Sequence, residues 1–182
     1  MSKALIIMDM QYDICEGGPL AHENSLKIIP KINTIRDEYD LIIFTVKLHP
    51  KNHSSFKQFG GDDPKNCIIN THGCKIHDDL IINNKDIIIS RETLQKYSSD
   101  SAFFDAEDVE KTTNLKNILL NNNIKDLYFC GNGIESYIFR SVLDAQIYKF
   151  NCYIIKDGFS YMNKDKAEEC IKFMETNRVL FI

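Results

Sequence analysis

Asp9 ends a continuous apolar run, Ala4 to Met8. A carboxylate at the tip of a buried strand can act as a general base or orient a ligand, or it can simply hydrogen-bond a neighbouring loop. Arg91 closes another such run. It could hold an anion or a carbonyl oxygen, or pair with Glu92 or Asp100. His49 and His53 stand four apart in Leu48-His-Pro-Lys-Asn-His-Ser-Ser-Phe56, a spacing that can share a metal. Pro50 argues against a regular helix there, so two surface histidines in a loop are the alternative. Lys47 beside them would repel a divalent ion, and Asn66, Cys67, His72 and His77 are conceivable further ligands that nothing places. The turn Gly131-Asn132-Gly133 could cradle a phosphate at a helix start, or serve only as a tight turn. Tyr137, one turn into the following helix, could line a pocket or pack in the core.

Strands and helices must bring these groups together. Leu127 to Cys130 reads as a buried strand, and Ile134, Ile138 and Val142 recur every four residues as a helical stripe, with Glu135 at its positive start. Strands are also expected at Ala4–Met8, Leu41–Val46, Asp86–Ser90, Cys152–Ile155 and Val179–Ile182. Helices are expected within Asn24–Tyr39, starting or kinking at Pro30, and over Val109–Asn122 and Lys164–Thr176. Lys47 to Leu80 has no sustained period and holds four of the five histidines, and Arg91 to Asp105 reads as a polar loop. A connection as long as the first usually carries function. Alternating strands and helices predict a three-layer α/β/α fold, a mostly parallel sheet of about six strands in a single domain over 1–182. In such sheets ligands bind beyond the carboxyl ends of the strands, where Asp9, Arg91 and the glycine turn fall.

Hydrophobic residues make up 43% and charged residues 26%, with a formal net charge of −4. No long basic run or membrane-length apolar stretch occurs, so neither a nucleic-acid nor a membrane partner is expected. The six cysteines, Cys15, Cys67, Cys74, Cys130, Cys152 and Cys170, are dispersed without a CxxC pair. With no secretory signal they read as free thiols in a reducing, cytoplasmic setting, Cys130 and Cys152 as core residues.

Taken in order, five segments resemble the isochorismatase-like hydrolase family, nicotinamidases in particular. Ala4 to Asp13 resembles its first strand and Asp-x-Gln-x-Asp, and His49 to Phe56 resembles D-W-H-P-x-x-H-x-S-F from its histidines on. Pro64 to Leu80 resembles W-P-x-H-C-V-x-G-T-P-G-A-x-x-H-x-x-L, and Ser101-Ala102-Phe103 the S-A-F after the third strand. Gly131 to Ala145 resembles G-x-A-T-D-Y-C-V-x-x-T-x-x-D-A, anchored by Gly131, Ser141, Asp144 and Ala145.

The resemblance implies an Asp, Lys and Cys triad whose thiolate attacks an amide carbonyl, with two backbone N–H groups near a cis peptide holding the oxyanion. In nicotinamidases it also implies a divalent metal on an Asp and histidines. Asp9 matches the catalytic Asp, but the Lys position falls on Arg91 (Lys96 and Thr93 being alternatives) and the Cys position on Tyr137. The metal-ligand Asp falls on Lys47, beside retained His49 and His53, and the third His on Asn66. Gly133, Ile134, Glu135 and Ser136 replace A-T-D-Y, with Gly133 and Ile134 expected at the pocket. A phenol with pKa near ~10 is a far poorer nucleophile than a thiolate. The expectation is a nicotinamidase-like protein without the Cys-dependent amidase activity, kept for binding or structure. The alternatives are a divergent hydrolase acting on a small amide through Asp9, Arg91 and a displaced thiol such as Cys67, and an unrelated nucleotide binder using Gly131 to Gly133. A small-molecule ligand and a homo-oligomer fit the resemblance; no cofactor is expected, zinc or iron being disfavoured by Lys47 and Asn66.

Overall fold

The computed structural model describes residues 2–182. In chain order the elements are β1 (Ser2–Met8), α1 (Ile29–Ile35), β2 (Leu41–Lys47), β3 (Ile87–Arg91), β4 (Phe104–Ala106), β5 (Lys111–Thr112), α2 (Leu115–Asn121), β6 (Ile124–Gly131), α3 (Phe139–Ile147), β7 (Asn151–Phe159), α4 (Lys164–Thr176) and β8 (Leu180–Phe181). Six strands form one sheet in the order β3-β2-β1-β6-β7-β8, every neighbouring pair parallel. Its order reverses between β1 and β6, and the crevice at their carboxyl ends is where an open α/β sheet offers a binding site.

Side chains alternate across the sheet with the strand period of two. In β1, Leu5 and Ile7 face the α1 side, while Ala4, Ile6 and Met8 face the layer of α2, α3 and α4. α1 spans seven residues, too short to persist alone. Pro30 sits in its first turn, where the missing N–H costs nothing. Burial of Ile29, Ile32 and Ile35 contributes roughly 1.5–3 kcal/mol each.

The structure departs from the sequence expectation in three places. Between Val109 and Thr113 there is no α-helix: Glu110 takes a left-handed conformation (φ +53°), and Lys111–Thr112 pairs with Phe104–Ala106 as an antiparallel hairpin. The hairpin also claims the end of the stretch expected to be a loop up to Asp105. The helix after the glycine turn opens as a π-helical turn, Ile134–Ile138, closed by Ile138 N–H donating to Gly133 O at 2.9 Å. The 134, 138, 142 spacing suits either winding, because all three side chains reach the core in both.

Candidate functional site

At the carboxyl ends of β1, β2 and β3, Asp9, Lys47 and Arg91 converge. Lys47 and Arg91 are direct partners in the β2–β3 register. Asp9 and Glu92, each just past a strand end, adopt left-handed φ of +47° and +57°. Such angles are costly for non-glycine residues and concentrate where a fold holds a side chain against its local preference. At Glu92 the break has a specific result. Consecutive strand residues point to opposite faces, yet Arg91 and Glu92 meet, Nη1 donating to Oε1 at 2.8 Å.

Hydrogen bonds knit these residues into one buried network. Asp9 Oδ1 accepts from Thr45 Oγ1 at 2.7 Å, and Asp9 Oδ2 accepts from Arg91 Nη2. Arg91 also donates to Ser99 O. Glu92 Oε1 accepts from Lys47 Nζ at 3.0 Å and Glu92 Oε2 from His49 Nε2 at 2.9 Å. Asp9, Lys47, His49, Arg91 and Glu92 are all at most 5% exposed. Burial works against the charge on Glu92, but Lys47, the hydrogen bond from His49 and Arg91 outweigh it and hold the carboxyl well below its usual range. Burial likewise opposes the charge on Lys47, and Glu92 reverses that, keeping the ammonium protonated.

Tyr137 closes the site. The π-helical turn aims its ring at the network, with Lys47 Nζ 4.3 Å and Arg91 Cζ 4.9 Å from the ring centroid, both within cation–π range. Gly133 permits this: its φ is +76°, and a Cβ there would lie 2.6 Å from Tyr137 Cδ2. Gly131 is equally constrained, since a Cβ would approach Met8 O to 2.4 Å where β6 meets β1. The other face of the turn is anchored by Ser141, whose Oγ donates to Tyr137 O and accepts from Ala102 N–H. Burial pushes the Tyr137 phenol up to about 12, so it stays protonated at neutral pH.

The turn has little left for a ligand. Asn132 N–H donates to Met8 O, and the N–H groups of Gly133 and Ile134 both donate to Ser160 O, at 3.1 and 3.0 Å. These bonds remove the phosphate cradle of the nucleotide-binding alternative and leave those two N–H groups without a free face for an oxyanion. Of the two residues expected at the pocket, Gly133 lies against the Tyr137 ring, and Ile134, fully buried, belongs to the same core cluster as Tyr137. The cavities of about 470 and 400 Å³ lie near the amino ends of β6, β7 and β8, on the opposite edge of the sheet.

Among the described residues, no thiol near the site is set up as a nucleophile. Cys130 faces the α1 side of the sheet, and burial raises its pKa. Cys67, fully buried rather than on a rim, is likewise pushed well up by burial, although Lys47 pulls the other way. None of the hydrogen-bond partners of Asp9 among the described residues is a thiol.

His49 and His53, far from being surface residues, are fully buried and stacked with centroids 4.3 Å apart. Together with Glu92 they present ligand atoms within 4.8 Å of one another, a spacing that a metal could bridge. The hydrogen bonds and charges do not suit one. His49 faces oxygen acceptors on both ring nitrogens, Asn66 O at 2.9 Å and Glu92 Oε2, so its Nε2 points an N–H rather than a lone pair at the cluster. His53 Nδ1 accepts from Ser55 N–H and its Nε2 faces Tyr97 O. Lys47 and Arg91 already balance Asp9 and Glu92, so a divalent ion would add two uncompensated buried charges. His72 and His77 instead flank Tyr12, away from this cluster.

Residues 3–180 match the isochorismatase domain. The chain belongs to the isochorismatase family. Among the relatives of this family member, a nicotinamidase of Acinetobacter baylyi is 30% identical, covering 85% of this chain and 79% of the relative. Among solved structures, the pyrazinamidase of Pyrococcus horikoshii in complex with zinc is 30% identical with a TM-score of 0.91, covering 100% of this chain and 99% of that one. A structure from L. infantum in complex with nicotinate superposes with a TM-score of 0.94 at 24% identity, covering 100% and 92%, and bears on the fold alone. No described helix of this family member is long and apolar enough to cross a membrane.

Of the residues singled out from the sequence, Asp9, Lys47, His49, His53, Arg91 and Tyr137 are brought together. Two were missed. Glu92 had been considered only as a partner for Arg91, and it is the hub. His22, 1% exposed, packs 5.6 Å from the Tyr137 ring with Nε2 unpartnered. Its distance in sequence from every other site residue left no signal.

Proposed function

We propose that this isochorismatase-family protein no longer carries out Cys-dependent amide hydrolysis and is retained for a binding or structural role. One observation carries the reading: the position that the family resemblance gives to the nucleophile holds Tyr137, protonated, 6% exposed and packed against Lys47 and Arg91. Nucleophilic catalysis needs a base within hydrogen-bond reach of an ionisable group. Here Asp9, the residue at the base position, is engaged by Thr45 and Arg91. Arg91 stays charged, because Asp9 and Glu92 outweigh the effect of its burial, so it cannot pass a proton as a lysine could. The side chains therefore neutralise one another, and the ring of Tyr137 fills the space where a substrate carbonyl would sit.

Incubating the purified protein with nicotinamide tests this. Ammonia release is expected to equal that of the protein-free control. Turnover that survives Tyr137→Phe and disappears in Cys67→Ser would overturn the proposal in favour of a divergent hydrolase with a displaced thiol.

A further inference from the structure

We propose that the Lys47 ammonium is a built-in substitute for a divalent cation, and that removing it turns His49, His53 and Glu92 into a metal site. The reading stands apart from whether hydrolysis has been lost, because it concerns only which cation balances this cluster.

Three observations carry it. First, the three potential ligands are already assembled: one atom from each lies within 4.8 Å of the others, and all three residues are buried. Buried clusters of two imidazoles and a carboxylate do not form by side-chain drift at a surface. They need a compensating positive charge or hydrogen bonds for the carboxylate. Second, that charge is present and is covalently attached. Lys47 Nζ lies 3.0 Å from Glu92 Oε1, and its stem leaves β2 in register with Arg91. Third, the hydrogen bonds already made at Glu92 leave no lone pair turned toward an ion. With Glu92 facing Lys47, Arg91 and His49 as donors, His49 Nε2 must carry hydrogen, which withholds the lone pair a metal would need. Asn66 Oδ1, buried beside His49 without a partner, is a further oxygen that no side chain uses.

Replacing Lys47 by an uncharged chain of similar length leaves Glu92 short of one counter-charge. A divalent ion then supplies that charge and leaves one positive charge over, instead of the two it would add beside Lys47, and it can displace the hydrogen from His49 Nε2 as it binds. In the wild type the same ion would lie within a few ångströms of a fixed ammonium, where like-charge repulsion is large.

The probe is Co²⁺, titrated into the purified full chain and followed by its visible d–d absorption and by metal analysis after gel filtration. Wild type is expected to retain none. Lys47→Met is expected to bind one equivalent, roughly 100-fold or more tighter than wild type, and Lys47→Met with Glu92→Gln is expected to lose that binding. Stoichiometric binding by wild type with the affinity of Lys47→Met would overturn the proposal, as would binding by Lys47→Met that survives Glu92→Gln. Should Lys47→Met not fold unaided, refolding with and without Co²⁺ decides: native circular dichroism regained only with the ion supports the proposal, and equal failure in both refutes it.

Discussion

Glu92→Gln removes one buried negative charge with almost no change in shape. The amide oxygen can still accept from Lys47 and Arg91, now at the position of Oε1. The amide nitrogen can donate to His49 Nε2 if that ring keeps its hydrogen on Nδ1, where Asn66 O accepts it. What is lost is charge: Lys47 and Arg91 are left against Asp9 alone, at 5% and 0% exposure. Breaking a buried pair from one side costs about 3–5 kcal/mol. For a domain of this size each kcal/mol moves the midpoint by about 2–4 °C, so Tm is expected to fall by roughly 6–20 °C at pH 7. Calorimetry and urea unfolding with an unchanged m-value would measure it. The pH dependence supplies a second, independent readout. The folded-state pKa of Glu92 lies below its unfolded value of about 4.3, so its contribution is fully present above that pH and is lost as pH falls through the folded value. Carboxylates beyond the reach of Glu92 titrate alike in both proteins, whereas Asp100, which Glu92 pushes up, is relieved of that push in the variant. The stability gap between wild type and Glu92→Gln should therefore be constant above about pH 5 and narrow progressively below about pH 4. A double-mutant cycle with Lys47→Met should show positive coupling, because the second change removes the stranded cation. A cost under about 1 kcal/mol at pH 7, or a gap that does not change in acid, would refute the reasoning and class the network with weak surface pairs.

Tyr137→Cys places a thiol between Lys47 and Arg91, which favour its thiolate; it should be alkylated by iodoacetamide at neutral pH well ahead of buried Cys67 and Cys130, as peptide mass spectrometry would report. Gly131→Ala should cost at least about 3 kcal/mol or prevent folding, since a side chain at φ +109° would also press on Met8 O, and urea unfolding will measure it. Ser141→Ala should cost about 1–3 kcal/mol in the same assay, by orphaning the buried Ala102 N–H and freeing the π-helical turn that presents Tyr137.

Much of this architecture is legible in the chain because strand and helix periods are set by local geometry. Lys164 to Thr176 matches its observed helix end to end, and Asn163 accepting from Lys166 N–H fixes the start. Asp9, Arg91 and Tyr137 could be placed at one edge because strand ends of a parallel sheet share that edge. Glu92 could not. Its role depends on a left-handed residue directly after a strand, which reverses the direction that alternation assigns to its side chain. Nothing in its neighbours announces that reversal. The π-helical turn is hidden for a related reason: one extra residue per turn leaves the apolar spacing of Ile134, Ile138 and Val142 compatible with an α-helix. The hairpin of β4 and β5 is too short for alternation to declare itself.

The carboxyl ends of β1, β2 and β3 are tied crosswise by Asp9, Thr45, Lys47, Arg91 and Glu92, and the tie is buried. Catalytic regions are usually drawn from the loosely held parts of a fold, because substrates must enter and leave. Here the ordinary gradient is inverted. Amide protons near Thr45 and Met8 should exchange only through global unfolding, while the two-residue β8 frays first. The crevice is thus a keystone of the sheet, and a substitution among these five residues is also a change to the folding equilibrium.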